Sequence, residues 1–275
     1  MIHEIKVLSE TQRLIQGRHG AFVYNPNDTY IGKALELYGE YCEHEVQLFA
    51  QFVKPGMCVW DVGANIGALT VPLAKLVGET GQVCSFEPQP VIFNNLCTNV
   101  SINGLHQVRC LPFALASETG RLKIPALNYN STGNFGAVSL SQQQAMESHQ
   151  VVEMRSLADL DYLPLPSFMK IDVEGMETQV LKGLASFITK QPPIIYLEND
   201  RIELSKELIE TLWSFGYSCY WHITPYYNSD NYRNATHNAW PNVSSFNMLC
   251  VHESHTQIKL EGEKITDSSK HPLER

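Results

Sequence analysis

The sequence predicts an α/β fold, a doubly wound and mostly parallel sheet with helices on both faces and an antiparallel pair of strands at its end. Three observations carry that expectation. Short β-rich runs recur at Cys58 to Val62, Val83 to Glu87, Val108 to Leu115, Phe168 to Asp172 and Ile194 to Glu198. Segments with helical spacing lie between most of them. The runs are largely apolar, as strands covered on both faces of a parallel sheet must be.

Ahead of the first run, residues 35 to 53 read as one helix stopped by Pro55-Gly56, so that 1–54 forms an N-terminal segment and helical cap. The first run ends in Asp61 and passes through a glycine-bearing turn into a helix from about Ile66 to Val77, with Asn65 placed as its N-cap. Phe93, Leu96, Cys97 and Val100 follow the i, i+3, i+4, i+7 stripe of an amphipathic helix. Leu204, Leu208, Leu212 and Phe215 repeat it, with Gly216 where a C′ glycine would stand. Residues 217–223 and 245–252 read as two strands with no helix between them. Their connection, Thr224 to Ser244, is long, and its aromatic content argues against disorder. The Asn-, Gly-, Ser- and Gln-rich segment 128–150 is the other long connection and a candidate lid. One domain therefore spans 55–252, and the polar tail 253–275 is expected to fray.

Composition narrows the function classes. The 275 residues sit near the globular average, which excludes disorder, collagen and a disulfide-stapled miniprotein. A net charge of −9 brings no general attraction to phosphate backbones or anionic lipids, so neither nucleic acid nor a membrane surface is an expected partner. No run approaches the ~18 apolar residues of a membrane span. The seven cysteines are odd in number, widely spaced and without a C-x-x-C pair, and several lie in apolar runs. With no apolar leader in the first thirty residues, the expectation is a soluble cytoplasmic protein. The N-x-S/T matches at Asn27, Asn130, Asn234 and Asn242 then count as accidental.

The strongest local signal is Val59-Trp60-Asp61-Val62-Gly63-Ala64-Asn65-Ile66-Gly67. Glycine permits the tight turn and lets a ligand approach the backbone, and the following helix start offers free N–H groups. Twenty residues after Gly67 comes Glu87, at the end of the second strand, where an acid can accept hydrogen bonds from ribose hydroxyls. This arrangement suits an adenosine-containing ligand. Residues 63–68 read G-A-N-I-G-A and not the dinucleotide fingerprint G-x-G-x-x-G, and Asp61 would set a negative charge near a pyrophosphate. An acid there suits a cationic amine and sulfonium, which favours S-adenosylmethionine over NAD.

The motif at 61–67, then Phe86-Glu87-Pro88 with Asn95, Leu96, Asn99 and Asn103 behind it, then 169–177 (M-K-I-D-V-E-G-M-E) together resemble the FkbM family of class I S-adenosylmethionine-dependent methyltransferases. The similarity runs from about residue 55 to 200. It implies a Rossmann-like, seven-stranded sheet of order 3-2-1-4-5-7-6, whose last pair is the two late strands. It also implies methyl transfer, typically to a hydroxyl oxygen, whereas the acceptor varies within the family. Asn65 stands where the wider class has a middle glycine.

The third motif has its own chemistry. Lys170 and Asp172 point to one face of their strand, and a buried lysine needs a partner, for which Asp61 and Glu198 are the candidates. Asp172, at a carboxyl strand end, is expected beside the sulfonium or the acceptor. Glu174 is a further candidate site residue, while Glu177 reads as a solvated acid in the next helix's first turn. Asp172, Glu198 and Asn199 offer hard oxygen ligands that would suit Mg²⁺, but a Lys170–Glu198 pair would use one of them, and no metal is assigned. His222, near the aromatic loop, and His149, in the candidate lid, are candidate bases, although a single histidine is more often structural. Tyr226, Tyr227, Tyr232, Arg233, Asn234, His237 and Trp240 either form an acceptor pocket or pack the loop.

The expectation is thus S-adenosylmethionine-dependent O-methylation of a sugar or other small metabolite. Asp61, Gly63, Ala64, Asn65, Gly67, Glu87, Pro88 and Asp172 would bind the cofactor, with Ala114 to Ser117 beside the adenine and Asp172 and His222 in catalysis. A non-catalytic cofactor-binding protein and a nucleotide-dependent oxidoreductase are the alternatives.

Overall fold

Ahead of the first predicted strand, the computed structural model already holds a small antiparallel sheet of β1 (Lys6–Val7), β2 (Arg13–Gly17) and β3 (Gly20–Tyr24). The structure describes residues 4–136, 148–258, 260 and 262–274. Two helices follow, α1 (Ile31–Tyr38) and α2 (Glu43–Phe52), where the sequence predicts one helix over 35–53. Gly39, at φ 69°, ends α1 with its N–H on Leu35 O, and Cys42, at φ 48°, turns the chain into α2. The break follows from that left-handed glycine, which ends a helix.

The predicted strands meet in one sheet. β4 (Cys58–Val62), β5 (Gln82–Phe86) and β6 (Val108–Leu111) pair in parallel, alternating with α3 (Thr70–Val77) and α4 (Pro90–Ile102). The predicted strand 108–115 breaks at Pro112, which has no N–H for the ladder. Beyond it β7 (Phe113–Leu115), β8 (Gly120–Pro125) and β9 (His149–Arg155) form a separate three-stranded sheet of order β7-β9-β8. The centre of the candidate lid, 137–147, lies outside the described residues.

β10 (Phe168–Ile171) then returns beside β4, followed by α5 (Glu177–Gly183), α6 (Ala185–Ile188), β11 (Ile194–Glu198) and α7 (Ile202–Ser214). β12 (Tyr217–Pro225) and β13 (Ser244–His252) close the sheet, β13 antiparallel to both β11 and β12. The order β12-β13-β11-β10-β4-β5-β6 is 3-2-1-4-5-7-6 when the seven strands are counted along the chain. It is a mostly parallel seven-stranded α/β sheet, as expected.

Strand alternation divides the core between two faces. Trp60, Val62, Met169 and Ile171 pack with Val180, Leu181, Leu208 and Leu212 of α5 and α7. Val59, Phe168 and Tyr196 face the other way, onto α2 and α3. There the ring of Phe49 lies 5.4 Å from Phe168 and 4.9 Å from Tyr196, which docks the N-terminal cap on the sheet. Lys170, two residues from Phe168, belongs to this face.

The tail does not fray along its length. Ile265 N–H donates to Cys219 O at 2.8 Å, Lys264 bridges Tyr220, and Ile265 and His271 are buried. Four scattered aliphatic residues, Ile258, Leu260, Ile265 and Leu273, in a polar segment are too weak a periodic signal to predict this docking. Among the described residues, no helix is long and apolar enough to cross a membrane.

Truncating Phe49 to Ala is expected to lower the unfolding free energy by about 3–5 kcal/mol in urea denaturation. A loss below about 1 kcal/mol would mean that α2 is not part of the core.

Candidate functional site

The turn after β4 is built for close approach. Gly63 sits at φ 79°, and a Cβ there would lie 1.7 Å from the carbonyl oxygen of Asp172, so only glycine fits. Gly63 and Ala64 N–H both donate to Phe86 O, at 3.0 and 2.9 Å. Asn65, left-handed at φ 49°, sends its N–H to Glu87 Oε2 at 3.0 Å, while Gln89 N–H donates to Oε1 at 2.8 Å. Burial pushes the Glu87 carboxyl up to about 7, against the pull of those two N–H groups. α3 starts only at Thr70, so Asn65 shapes the turn and is not a helix N-cap; its Oδ1 accepts Ile66 N–H at 2.7 Å.

Behind the turn lies a buried ion cluster. Lys170 Nζ donates to Gly63 O at 2.8 Å and stands 3.3 Å from Asp172 Oδ2 and 3.4 Å from Asp61 Oδ1. Burial alone would depress this ammonium, but Asp172, Asp61 and Glu45 more than reverse it, and its proton is held above the ordinary lysine range. Of the two predicted partners, Asp61 is the one used. Asp61 is fully buried, accepts Thr70 Oγ1 at 2.5 Å on Oδ2, and does not line the cavity in front of the turn. The sequence expects Asp61 to contact the cofactor; its carboxylate lies behind the turn, against Lys170 and Thr70. Deeper still, buried Glu45 accepts Ser245 Oγ at 2.9 Å and Asn247 Nδ2 at 3.0 Å, and burial pushes it up to about 7.

The cavity encloses about 1150 Å³, its mouth included. Gly63, Ala64, Asn65, Glu87, Pro88 and Ala114 line one end, as the sequence predicts, while Gly67, Ala116 and Ser117 do not reach it. Leu115, Leu122 and Ile124 join them from β7 and β8, whose small sheet the sequence reading lacks.

The other end is acidic and aromatic. Carboxylate oxygens of Asp172, Glu174 and Glu198 lie within 4.8 Å of one another, a spacing able to hold a divalent ion. Burial and then Asp172 push Glu174 up to about 8, although Arg201 pairs with it at 2.5 Å; the same two causes push Glu198 well up. Asn199 is not part of this trio: it is buried, with Nδ2 on Ser205 Oγ at 2.9 Å. Glu177 is buried rather than solvated, and accepts Val173 and Gly175 N–H at 3.0 and 3.2 Å.

Neither predicted histidine reaches the cavity. His222 lies on the edge strand β12, its Nδ1 2.9 Å from the Tyr196 hydroxyl, and burial lowers its proton affinity. His149 is exposed on β9. His222, expected as a catalytic base, does not line the cavity, whose acidic end holds Asp172, Glu174 and Glu198. Of the aromatic loop, only Tyr226 lines the cavity. Tyr227 OH donates to Ala235 O at 3.0 Å, Arg233 binds Glu36 O, Tyr232 N–H donates to Glu40, and Trp240 stacks on Tyr30 at 6.0 Å. The Tyr38 hydroxyl donates to His237 O at 3.1 Å. Asn234 takes a left-handed φ of 54°, its N–H on Asn231 O at 3.0 Å. The loop residues mostly pack. Tyr30 and Tyr41, at the ends of α1 and α2, complete the wall, and no periodicity in the sequence marks them.

Residues 61–219, more than half of the chain, match the family model described as methyltransferase FkbM domain. The hexuronic acid methyltransferase AglP of Haloferax volcanii is 28% identical over 156 residues, covering 57% of this chain and 61% of its own. Methyltransferase sdnD of Sordaria araneosa is 28% identical, covering 45% of this chain and 59% of its own. The chain thus spans about three fifths of the length of these relatives. The crystal structure of a methyltransferase FkbM from Methylobacillus flagellatus superposes with a TM-score of 0.43 at 15% identity, over 70% of this chain and 43% of that one, a likeness that carries no argument.

Glu45 holds its proton more tightly in the folded chain than in the unfolded one. The stability this contributes is complete below the ordinary glutamate value of 4.5 and is lost as pH rises through about 7. Between those limits the wild type is expected to lose roughly 3 kcal/mol more than Glu45→Gln in urea denaturation. Parallel pH profiles for the two proteins would show that Glu45 titrates normally.

Proposed function

The chain belongs to the FkbM methyltransferase family, and on that premise we propose that it methylates a hydroxyl of a sugar or other small metabolite, with S-adenosylmethionine as the donor. The observation that carries this reading is the single cavity with two unlike ends, a glycine turn with a buried acceptor carboxylate at one and a cluster of carboxylates at the other.

The donor set at the first end fits the cofactor. Glu87 would accept hydrogen bonds from a vicinal ribose diol, the backbone of Gly63–Asn65 would admit a close ligand, and the apolar Leu115, Leu122 and Ile124 would pack against an adenine. When bound, S-adenosylmethionine supplies an electrophilic methyl group on a positively charged sulfur. Displacement there needs little covalent help, so the protein contributes position, exclusion of water and one base.

Asp172 is that base. Lys170 engages its Oδ2, which fixes the carboxylate and leaves Oδ1 to take the proton of the acceptor hydroxyl. Lys170 is a positioning residue, since it acts through Asp172 and through Gly63 O. All seven cysteines are free, which suits a reducing compartment.

Isothermal calorimetry is expected to give micromolar binding of S-adenosylhomocysteine and none of NAD. Glu87→Ala should weaken that binding at least about tenfold, or ~1.4 kcal/mol. Asp172→Asn should leave it within about threefold while kcat falls by roughly 10² or more. An unchanged affinity in Glu87→Ala would overturn the cofactor placement.

A further inference from the structure

We infer that the methyl acceptor is an uncharged polyhydroxylated ring, and that the site discriminates against the corresponding uronate. This rests on the methyl-transfer reading above and specifies its substrate. It also separates this chain from the hexuronic acid methyltransferase it resembles over part of its length.

Among the described residues lining the cavity, Lys170 is the only cation, and its ammonium already has three oxygen partners in Gly63 O, Asp61 and Asp172. The two aspartates more than balance its charge, so it leaves no net positive charge for a ligand. Arg201, close by, is paired with Glu174. Residues 137–147, which follow the cavity-lining Gly136, contain no Lys, Arg or His. A carboxylate on the acceptor would therefore leave water for an end that already gathers Asp172, Glu174 and Glu198 within 4.8 Å, with no further cation among the described lining residues to receive it.

The same end favours a neutral ring with hydroxyls. Tyr30, Tyr41 and Tyr226 form its wall, with the ring of Tyr226 5.6 Å from Tyr30 and 6.0 Å from Tyr41. Tyr41 and Tyr226 also line the small recess that continues past Asp172 and Glu198, so aromatic faces and carboxyl groups share one space. Aromatic faces cover the apolar face of a pyranose, while the carboxyl groups accept or share its hydroxyl hydrogens. All three tyrosines lie outside the span 61–219 of the family match. The wall that meets the acceptor is thus made by this chain's own flanks, the N-terminal cap and the loop after β12.

The experiment uses the full chain, labelled S-adenosylmethionine and a panel of hexopyranosides, each offered as the neutral sugar, its uronate and the methyl ester of that uronate. The ester keeps the bulk of the uronate without its charge. Binding of S-adenosylhomocysteine is measured on the same preparation. The expected result is transfer to a neutral ring and to its ester, with kcat/KM for the uronate at least about tenfold lower than for either. A uronate turned over as fast as its neutral partner overturns the inference, as does an ester as poor as the uronate, which would make size the cause. Uronate transfer that appears only with added Mg²⁺ overturns it too, because the three acids would then be a cation site. Transfer to no uncharged ring, with S-adenosylhomocysteine bound, overturns the choice of acceptor while leaving the methyl-transfer reading intact. Failure of a folded protein to bind S-adenosylhomocysteine overturns that reading, and the inference with it.

Discussion

A single buried ammonium holds the working end of this sheet together. Lys170 reaches the carbonyl of Gly63, the carboxylate of Asp61 and the carboxylate of Asp172, so one side chain ties the ends of β4 and β10 to the turn that leaves β4. An ammonium taken out of water without partners would be costly, and the two aspartates would repel one another without it. Each group is tolerable only because the others are present. Thr70 and Ser85 extend the cluster, with Thr70 Oγ1 on Asp61 Oδ2 at 2.5 Å and 3.1 Å from Ser85 Oγ, so α3 and β5 are drawn into the same arrangement. The close contact at Gly63, where no Cβ can stand, is the steric counterpart of this electrostatic tie.

From that tie follows the division of the cavity. The turn is pressed toward β5, where its N–H groups meet Phe86 O and Glu87, and this fixes the glycine-turn end of the cavity. Asp172 is held on the opposite side of the same ammonium, and the acids that follow β10 and β11 collect around it. The N-terminal cap closes the face above Lys170 through Phe49, and brings Tyr30 and Tyr41 to the rim beside Tyr226. Glu40 fastens cap to loop, accepting Arg18 Nε at 2.6 Å, Asn228 Nδ2 at 2.8 Å and Tyr232 N–H at 2.8 Å. The glycine turn with its acids and the tyrosine rim therefore come from different parts of the chain, and the two halves of that rim are fastened to each other in part through Glu40.

What could be read in the sequence was what local chemistry and a family resemblance specify. Apolar runs and helical stripes located the seven strands of the main sheet, and the resemblance supplied their order. Gly63, Asn65 and Glu87 were legible because a strand–turn–helix with a following acid has a chemical meaning in itself. Asp61 stood out in the sequence, but only the fold shows that it faces Lys170 and Thr70 behind the turn. His222 was misleading for the same kind of reason: its neighbourhood to the aromatic loop in sequence says nothing of Tyr196, which holds it on the edge strand. The short strands of the cap, the break at Gly39 to Cys42, and the small sheet after Pro112 depend on pairings across more than a few residues, to which periodicity is blind. Tyr30 and Tyr41 matter only because α1 and α2 are laid against the cavity, a tertiary fact.

The most direct test of this account is the affinity for S-adenosylhomocysteine of Lys170→Met combined with Asp61→Asn, in which the fully buried Asp61 carboxylate is not left without its cation while the half-exposed Asp172 faces solvent. The account predicts a folded protein, because the pair is removed together, whose affinity falls at least about tenfold, because Gly63 O and Asp172 have lost the donor that fixes the turn. Wild-type affinity in the folded double variant would contradict it, and would mean that the turn holds its shape without the ammonium.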